Sequence, residues 1–411
     1  MAIQNQVTAS VIIAPESTFG TAAPTGAANA ITLRRVSSSL ALGKDVFQSA
    51  EVRPDQQVVD MRHGTRRPGG GIEAQLSNAA FDPLLEALLR GTWVAGVSVL
   101  PAVYTTVAAA NTVGTPLTPG SLGTLTWAAG DPVAAGFRVG DVVRLTGSGF
   151  AANQNINFRI ISFGGTSNRT ITVTPSPAVV GAQAGTNMAV PGSKLICGTA
   201  RRSFTVEQLF GDIEVSELYT GMRVGSGAIR IPPNGMATCS FGFMGQDMVI
   251  LDGASSPYFT APVAAGADGI FAGPQGSLRF AGAERGVVTG VDINIDVGLS
   301  ADPVVGRDTV PDIFYGTTTV SGNVSAYLED KSLIEKFVNE SEVELVSLLQ
   351  ASGSVAPIPF MCFNLPRIKL GGATKTVGAQ GGVIATFPFT ALKAGATGVD
   401  ASTIVIQRSN S

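Results

Sequence analysis

A stretch that occurs twice constrains this chain more than any other feature. Residues 60–89 read DMRHGTRRPGGGIEAQLSNAAFDPLLEALL, and residues 312–338 read DIFYGTTTVSGNVSAYLEDKSLIEKFV. Asp60 matches Asp312, Gly64 and Thr65 match Gly316 and Thr317, and Gly70 matches Gly322, all at constant spacing. The alternating Ile72, Ala74 and Leu76 match Val324, Ala326 and Leu328. After a connection three residues shorter in the second copy, Leu84, Leu85, Glu86, Leu88 and Leu89 match Leu333, Ile334, Glu335, Phe337 and Val338. Alternation with period two marks a strand with one buried face, and the leucine spacing marks a helix. A turn, a strand and a short amphipathic helix are written twice, so the fold has to hold two such units.

The 411 residues suffice for two or three domains. Only 14% of them are charged, against 45% apolar, and 50 glycines and 23 prolines punctuate the chain. Many short strands between glycine-rich turns follow, so the chain is expected to be mainly β. A surface so poor in charge tends to associate, which predicts an assembly. The net charge of −3 offers no basic footprint for gripping nucleic acid. Cys197, Cys239 and Cys362 are odd in number and not at metal spacing, and are expected as buried free thiols. The opening MAIQNQVTASVIIAPEST lacks the basic start and long apolar run of a signal peptide, and no window approaches the ~18 apolar residues of a membrane span.

Taken in order, residues 1–30 hold one short strand (Val7 to Ala14) and a segment too poor in large side chains for a core of its own, which predicts a surface arm or an ordered tail that docks on something else. Ile31 to Leu42 reads as one strand, with Val36, Ser38, Leu40 and Leu42 on one face and Arg35, Ser37, Ser39 and Ala41 on the other. Its counterpart is Val288 to Val297, where Val291, Ile293, Ile295 and Val297 alternate with Gly290, Asp292, Asn294 and Asp296. Such alternation implies one buried face and one polar face toward water. Lys44 to Pro68 reads as a long polar connection carrying Glu51, Arg53, Asp55, Asp60, Arg62, Arg66 and Arg67, and a loop of that length usually has a function. It is expected to be an arm whose mixed charges pair with a neighbouring subunit; a solvated loop is the plainer reading. A helix is expected from about Asn78 to Arg90, stopped by Gly91.

Residues 96–195 differ in composition, with only seven charges, Asp131, Arg138, Asp141, Arg144, Arg159, Arg169 and Lys194. The runs from Phe137, Asn157 and Arg169 predict three consecutive antiparallel strands of a small barrel or sandwich inserted into the first unit. The repeat then resumes. GMATCSFGFMG from Gly235 answers GVIATFPFTA from Gly382, with Phe241-Gly242-Phe243 matching Phe387-Pro388-Phe389. The expected organisation is an N-terminal arm (1–30), unit one (31–95 and 196–250), an inserted β domain (96–195), a connector (251–285) and unit two (286–411).

Catalytic chemistry is not visible. His63 is the only histidine, which argues against a zinc site or a Ser/His triad, and it is expected as a hydrogen-bonded loop residue. The glycines at 69–71 precede a strand and no GKS or GKT follows, so they form no phosphate loop. Asp292 with Asp296, and Glu340, Glu342 and Glu344, are acid pairs of the kind glycoside hydrolysis uses, but no aromatic platform accompanies them. Arg66-Arg67 and Arg201-Arg202 read as salt-bridge partners. No catalytic residue, metal ligand or cofactor is expected.

The run TFGTAAPTG from Thr18, the segment SSSLALGKDVFQSAEVRPDQQVVDMRHGTRRPGGGIEAQLS from Ser37, and VSGNVSAYLEDKSLIEKF from Val320 resemble the tail tube proteins of long, non-contractile-tailed bacteriophages. The resemblance implies tandem β-sandwich units, each with a flanking short helix, whose copies form stacked rings around a channel for DNA ejection. It implies a place in the virion tail, with the tape measure protein and the tail terminator and tip proteins as partners, and no membrane. The inserted segment resembles the decorative outer domains of some of these proteins.

A channel that passes DNA without holding it needs a wall free of basic stripes, because each cation on a phosphate releases counterions and strengthens binding. Ser37, Ser39, Asp292, Asn294 and Asp296 are the expected channel-lining residues. Since most tube proteins with one unit close as hexamers, a chain with two units is expected to form trimeric rings with pseudo-sixfold symmetry, a hexamer being the alternative. A virion decoration or spike protein and a secreted β-sandwich glycosidase remain competing readings.

Overall fold

The computed structural model describes residues 3–99, 107–113, 120–127, 129–147, 153–178, 180–183, 187–284, 288–351, 357–377 and 381–410. It is mainly β. The first strands are β1 (Ala9–Pro15), β2 (Ile31–Thr32), β3 (Ser37–Ser38), β4 (Ala41–Gln48) and β5 (Met61–Gln75), followed by α1 (Asp82–Leu89) and β6 (Val94–Ala95). Next come β7 (Val107–Val113), β8 (Leu122–Trp127), β9 (Val142–Thr146), β10 (Phe158–Gly164), β11 (Thr170–Thr174), β12 (Val180–Gln183), β13 (Asn187–Ala189) and β14 (Ser193–Ile196). The chain continues through β15 (Phe204–Phe210), β16 (Val215–Ile231), β17 (Thr238–Met244), β18 (Asp247–Asp252), β19 (Ser277–Phe280), β20 (Ala283–Glu284), β21 (Val288–Asp296) and β22 (Thr319–Tyr327). After α2 (Ser332–Val338) it ends with β23 (Val343–Gln350), β24 (Phe360–Leu370), β25 (Thr374–Thr376), β26 (Ile384–Ala391) and β27 (Val405–Arg408). Neither helix is long and apolar enough to cross a membrane.

One antiparallel sheet, here called the wall, runs through both halves of the chain. Six inner strands lie in the order β5, β17, β16, β21, β22, β26. One edge is β3 and β4 on β5, and the other is the end of β24 with β25 on β26, which makes eight strand positions. The pairing order along the chain is the same in the two halves, and so is the register. Gly70 faces Phe243 and Ile72 faces Phe241, while Gly322 faces Phe389 and Val324 faces Phe387. A side chain is excluded at both glycines for the same reason: a Cβ would stand 2.3 Å from the Ser39 carbonyl oxygen at Gly70 and 1.9 Å from that of Asp292 at Gly322.

The back of the wall is apolar, as period-two alternation requires. Ile72, Phe241, Ile229, Ile293, Val324 and Phe387 share one core with Leu84, Leu85, Leu88 and Leu89 of α1 and with apolar side chains of two backing sheets. One backing sheet joins β18, the first half of β16, β15, β1 and β2; the other joins β19, β23, the first half of β24, β27, β14 and β6. Because a two-turn helix has little stability alone, α1 owes its order to this burial.

Several local expectations are corrected. Ile31 to Leu42 is not one strand: β2 pairs with β1, while β3 and β4 pair with β5, and Val36 is 63% exposed instead of inward-facing. The connection from Lys44 to Pro68 is a β-hairpin, because β4 continues along the first half of β5 as far as Gln48 opposite Met61. Helix α1 ends at Leu89; Arg90 takes the left-handed conformation, with φ 54°, one residue before the expected stop. Residues 9–30 dock on the chain itself, since β1 pairs with β15 along its whole length. Of the three free thiols, Cys239 and Cys362 are buried but Cys197 is half-buried.

The predicted β9, β10 and β11 are consecutive and antiparallel, in a seven-stranded sheet with a separate core around Trp127, Phe137, Phe158 and Ile171. Its seat is unexpected. The sequence interrupts the first half, yet the domain packs on the second, with Val142 against Val346, Leu348, Phe360 and Cys362. Its stems β6 and β14 extend the sheet that ends in β27.

Candidate channel wall and assembly arms

The second face of the wall is polar and uncovered by any described residue. Cross-strand pairing links Ser37, Glu73, Ser240, Ala228, Asn294, Ser321, Thr390 and Lys369 into one row across all eight positions. An adjoining row runs through Gln75, Thr238, Arg230, Asp292 and Asn323, and another through Gly71, Gly242, Ser226, Asp296 and Thr319. All five residues expected to line a channel therefore lie on one face. Ser37 donates to Glu73 (3.2 Å), Ser39 accepts from the Gly71 N–H (2.9 Å), and Asp296 accepts from the Gly298 N–H (2.8 Å).

Sequence reasoning missed Glu73, Arg230 and Lys369 on this face. Glu73 was within reach, because it alternates with Ile72 and Ala74. Arg230 and Lys369 needed the strand order, which brings both strands into the wall. With them the charges of these rows are Glu73, Asp292 and Asp296 against Arg230 and Lys369, nearly balanced and without a basic stripe. Arg35 turns away from the face and donates to the Ala9 carbonyl.

Two arms leave the wall, each from the turn before the repeated strand. The first is the outer part of the β4–β5 hairpin. Three ion pairs close within it: Arg53 lies 3.6 Å from Asp55, Arg62 2.8 Å from Asp60 and Arg67 3.0 Å from Asp45. Arg66 reaches Asp247 (2.7 Å) and Asp308 (3.2 Å), and the Asp247 hydrogen bond raises the guanidinium pKa. Glu51 is exposed, and its backbone N–H donates to Ser49. Beside these charges the arm exposes apolar side chains, Val46, Phe47, Val52, Val58, Val59 and Met61 each being at least half exposed. His63 lies on this arm in β5, exposed and opposite Val46, not in a loop.

The second arm, residues 297–318, folds back on the first half. Val310 and Ile313 are buried there. The buried Arg223 donates to the Ile313 carbonyl, pairs with Asp312 at 2.9 Å, and stacks on Phe19 at 4.3 Å. Gln246 donates to Val310 O (2.8 Å), and the Tyr315 hydroxyl donates to Arg202 O (3.1 Å). Burial raises the Tyr315 pKa. Arg201 and Arg202 serve as expected, beside Asp312 (3.8 Å) and Glu86 (3.3 Å).

The seam under the inserted domain holds a buried triad. Lys194 sits 2.5 Å from both Asp141 and Asp400. Burial pushes Asp141 up to about 6, since one ammonium is shared between two carboxylates, while the pair of acids outweighs burial and holds Lys194 above its ordinary value. Gln407 fixes the seam by accepting from Val142 N–H (2.8 Å) and donating to Val142 O (2.9 Å). These contacts are structural. The glutamates singled out in the sequence are paired as well: Glu342 with Arg367, Glu344 with Arg279, and Glu340 with Lys369. Among the described residues no group of three or more His, Cys, Asp or Glu side chains is placed to hold a metal ion.

A long sheet with one polar face, open edges and projecting arms defines a protein built to associate with itself. The sequence model of the phage tail tube protein family matches residues 7–391, and the chain belongs to that family. It is a structural protein of the virion tail. A search of curated proteins finds no match.

Proposed function

We propose that three copies of this chain close into a ring with pseudo-sixfold symmetry, and that rings stack into the tail tube through which DNA leaves the virion. One observation carries this reading: the wall repeats the same strand order and register in its two halves and ends in two open edges. Residues 31–95 with 196–250 then form one tube unit and residues 286–411 the other, with 96–195 as an outer domain. The connector 251–285 supplies β19, which backs the second unit beside β23 as β1 backs the first beside β15.

The polar face is the lumen. Its few, nearly balanced charges give DNA phosphates no continuous cationic track, which suits rapid passage. The first arm, with three internal ion pairs and exposed apolar side chains, reaches the next ring, where burial of its valines, Phe47 and Met61 drives stacking. The tape measure protein occupies the lumen before ejection, and the terminator and tip proteins close the ends. Cryo-electron microscopy of the purified assembly tests this: a class average down the axis should show three inserted domains around six wall units. A ring of six full chains, or compact trimers without an axial hole, overturns it.

A further inference from the structure

We propose that the joint between neighbouring copies reproduces, residue for residue, the joint that the chain makes inside its own wall. This rests on the ring reading above and adds the edges and the register. Inside the chain, β16 meets β21 with Ala228 opposite Asn294, Ile229 opposite Ile293 and Arg230 opposite Asp292.

Each of these two segments has a counterpart in the other half. On β17, Ser240 pairs with Ala228, Cys239 with Ile229 and Thr238 with Arg230. On β26, the residues equivalent to these are Thr386, Ala385 and Ile384, and they pair with Thr374, Lys375 and Thr376. Strand β25 therefore stands where residues 228–230 of β16 stand. Likewise Ile293 lies opposite Gly322, and the register of β3 and β4 on β5 places Leu40 opposite Gly70, the equivalent glycine. Ser39, Leu40 and Ala41 therefore stand where Asp292, Ile293 and Asn294 stand.

The two equivalent segment pairs differ in one respect. Residues 228–230 and 292–294 are bonded to each other, whereas among the described residues β25 has β26 as its only strand partner and β3 and β4 have only β5. An unpaired edge is a template for another strand, and the partner whose register it already fits is the opposite edge of a second copy. The predicted contacts are Thr374 opposite Ala41, Lys375 opposite Leu40 and Thr376 opposite Ser39. Lys375 takes the place of the buried Ile229 and is exposed in the single chain. A lysine at that point guards the edge against indiscriminate pairing before assembly.

Cysteine cross-linking reads the register. The Val297 N–H bonds to Gly225 O, so the positions equivalent to Ala228 and Asn294 form a non-hydrogen-bonded pair, where side chains approach most closely. The chain carrying Thr374→Cys and Ala41→Cys, assembled and oxidised with copper phenanthroline as electron acceptor, should form inter-chain disulfides up to a covalent trimer. Thr374→Cys with Ser37→Cys is displaced by four residues, ~13 Å, and should cross-link at least ~10-fold less. The unsubstituted chain controls for Cys197, Cys239 and Cys362. A second readout needs no substitution: amide exchange at Thr374 to Thr376 should slow on assembly.

Rings in negative stain together with the in-register disulfide support the proposal. Rings with equal or stronger cross-linking of the displaced pair, or with unprotected amides in β25, overturn the register and leave the tube reading intact. Absence of any ring or tube overturns both.

Discussion

The two arms begin at equivalent places, before Gly70 and before Gly322, and end in opposite situations. The first pairs Arg53, Arg62 and Arg67 within itself and holds out valines, Phe47 and Met61. The second buries its apolar residues Val310 and Ile313 against the first half and spends its Asp312 on Arg223. One arm is complete within the chain and the other is not. The arms leave the sheet at equivalent points but differ in backbone, a β-hairpin against a segment without strands, and in what they cover. The second arm joins the two halves, and the first is the one proposed for assembly.

The largest effect expected from this difference is at Arg223. Replacing it by alanine removes the guanidinium from Asp312 and from the Ile313 carbonyl, and should cost about 3 kcal/mol, the low end for a buried pair because Asp312 is a third exposed. Exchange at the mutually bonded Ser300 and Phe314 amides should accelerate accordingly. Unchanged exchange would show that the second arm is held by something else.

Next comes Phe47→Ser. Its side chain is 63% exposed, so stability of the single chain should change by no more than about 0.5 kcal/mol. If the arm stacks rings, loss of that burial should raise the concentration needed for tube formation ~10- to 100-fold, from about 1.5–3 kcal/mol per phenylalanine. Sedimentation across a dilution series measures it. Tubes at the original concentration would remove the first arm from the ring contact.

A smaller effect belongs to Arg66, which ties the first arm to the second through its side chain to Asp308 and its N–H to Asp308 O. Arg66→Ala should loosen the second arm by about 0.5–1 kcal/mol, given its partial exposure. The smallest is Arg62→Ala, whose exposed pair with Asp60 should contribute under about 0.5 kcal/mol to the chain and little to tube formation. A large assembly defect from Arg62→Ala with normal assembly of Phe47→Ser would reverse the roles given to charge and apolar surface.

Much of the fold was legible in the residues, and the limits have physical causes. Val291, Ile293 and Ile295 alternating with acids and amides could only be one side of a sheet, and Gly70 with Gly322 marked the same close strand approach twice. The hairpin of β4 was missed because Lys44 to Gln48 and Met61 to Gly64 are polar or exposed on both faces, so no alternation distinguishes them from a loop. That the second arm, Ser300 to Thr319, folds back on its own chain instead of reaching a neighbour was not legible, because Val310 and Ile313 stand among glycine, proline and aspartate, where two apolar residues carry no period.

What the sequence alone determined is local and repetitive: strands of period two, a short leucine-striped helix and a stretch that occurs twice. These follow from alternation and spacing, which nearest neighbours along the chain decide. Only the tertiary structure decided that β16 meets β21 to make one wall, that the inserted domain sits on the half it does not interrupt, and that one arm is satisfied while the other is open. Those outcomes depend on which distant surfaces meet. Seams such as Val142 on Phe360 and Arg223 on Asp312 are chosen by shape and charge complementarity between segments far apart in the chain, which no local pattern encodes.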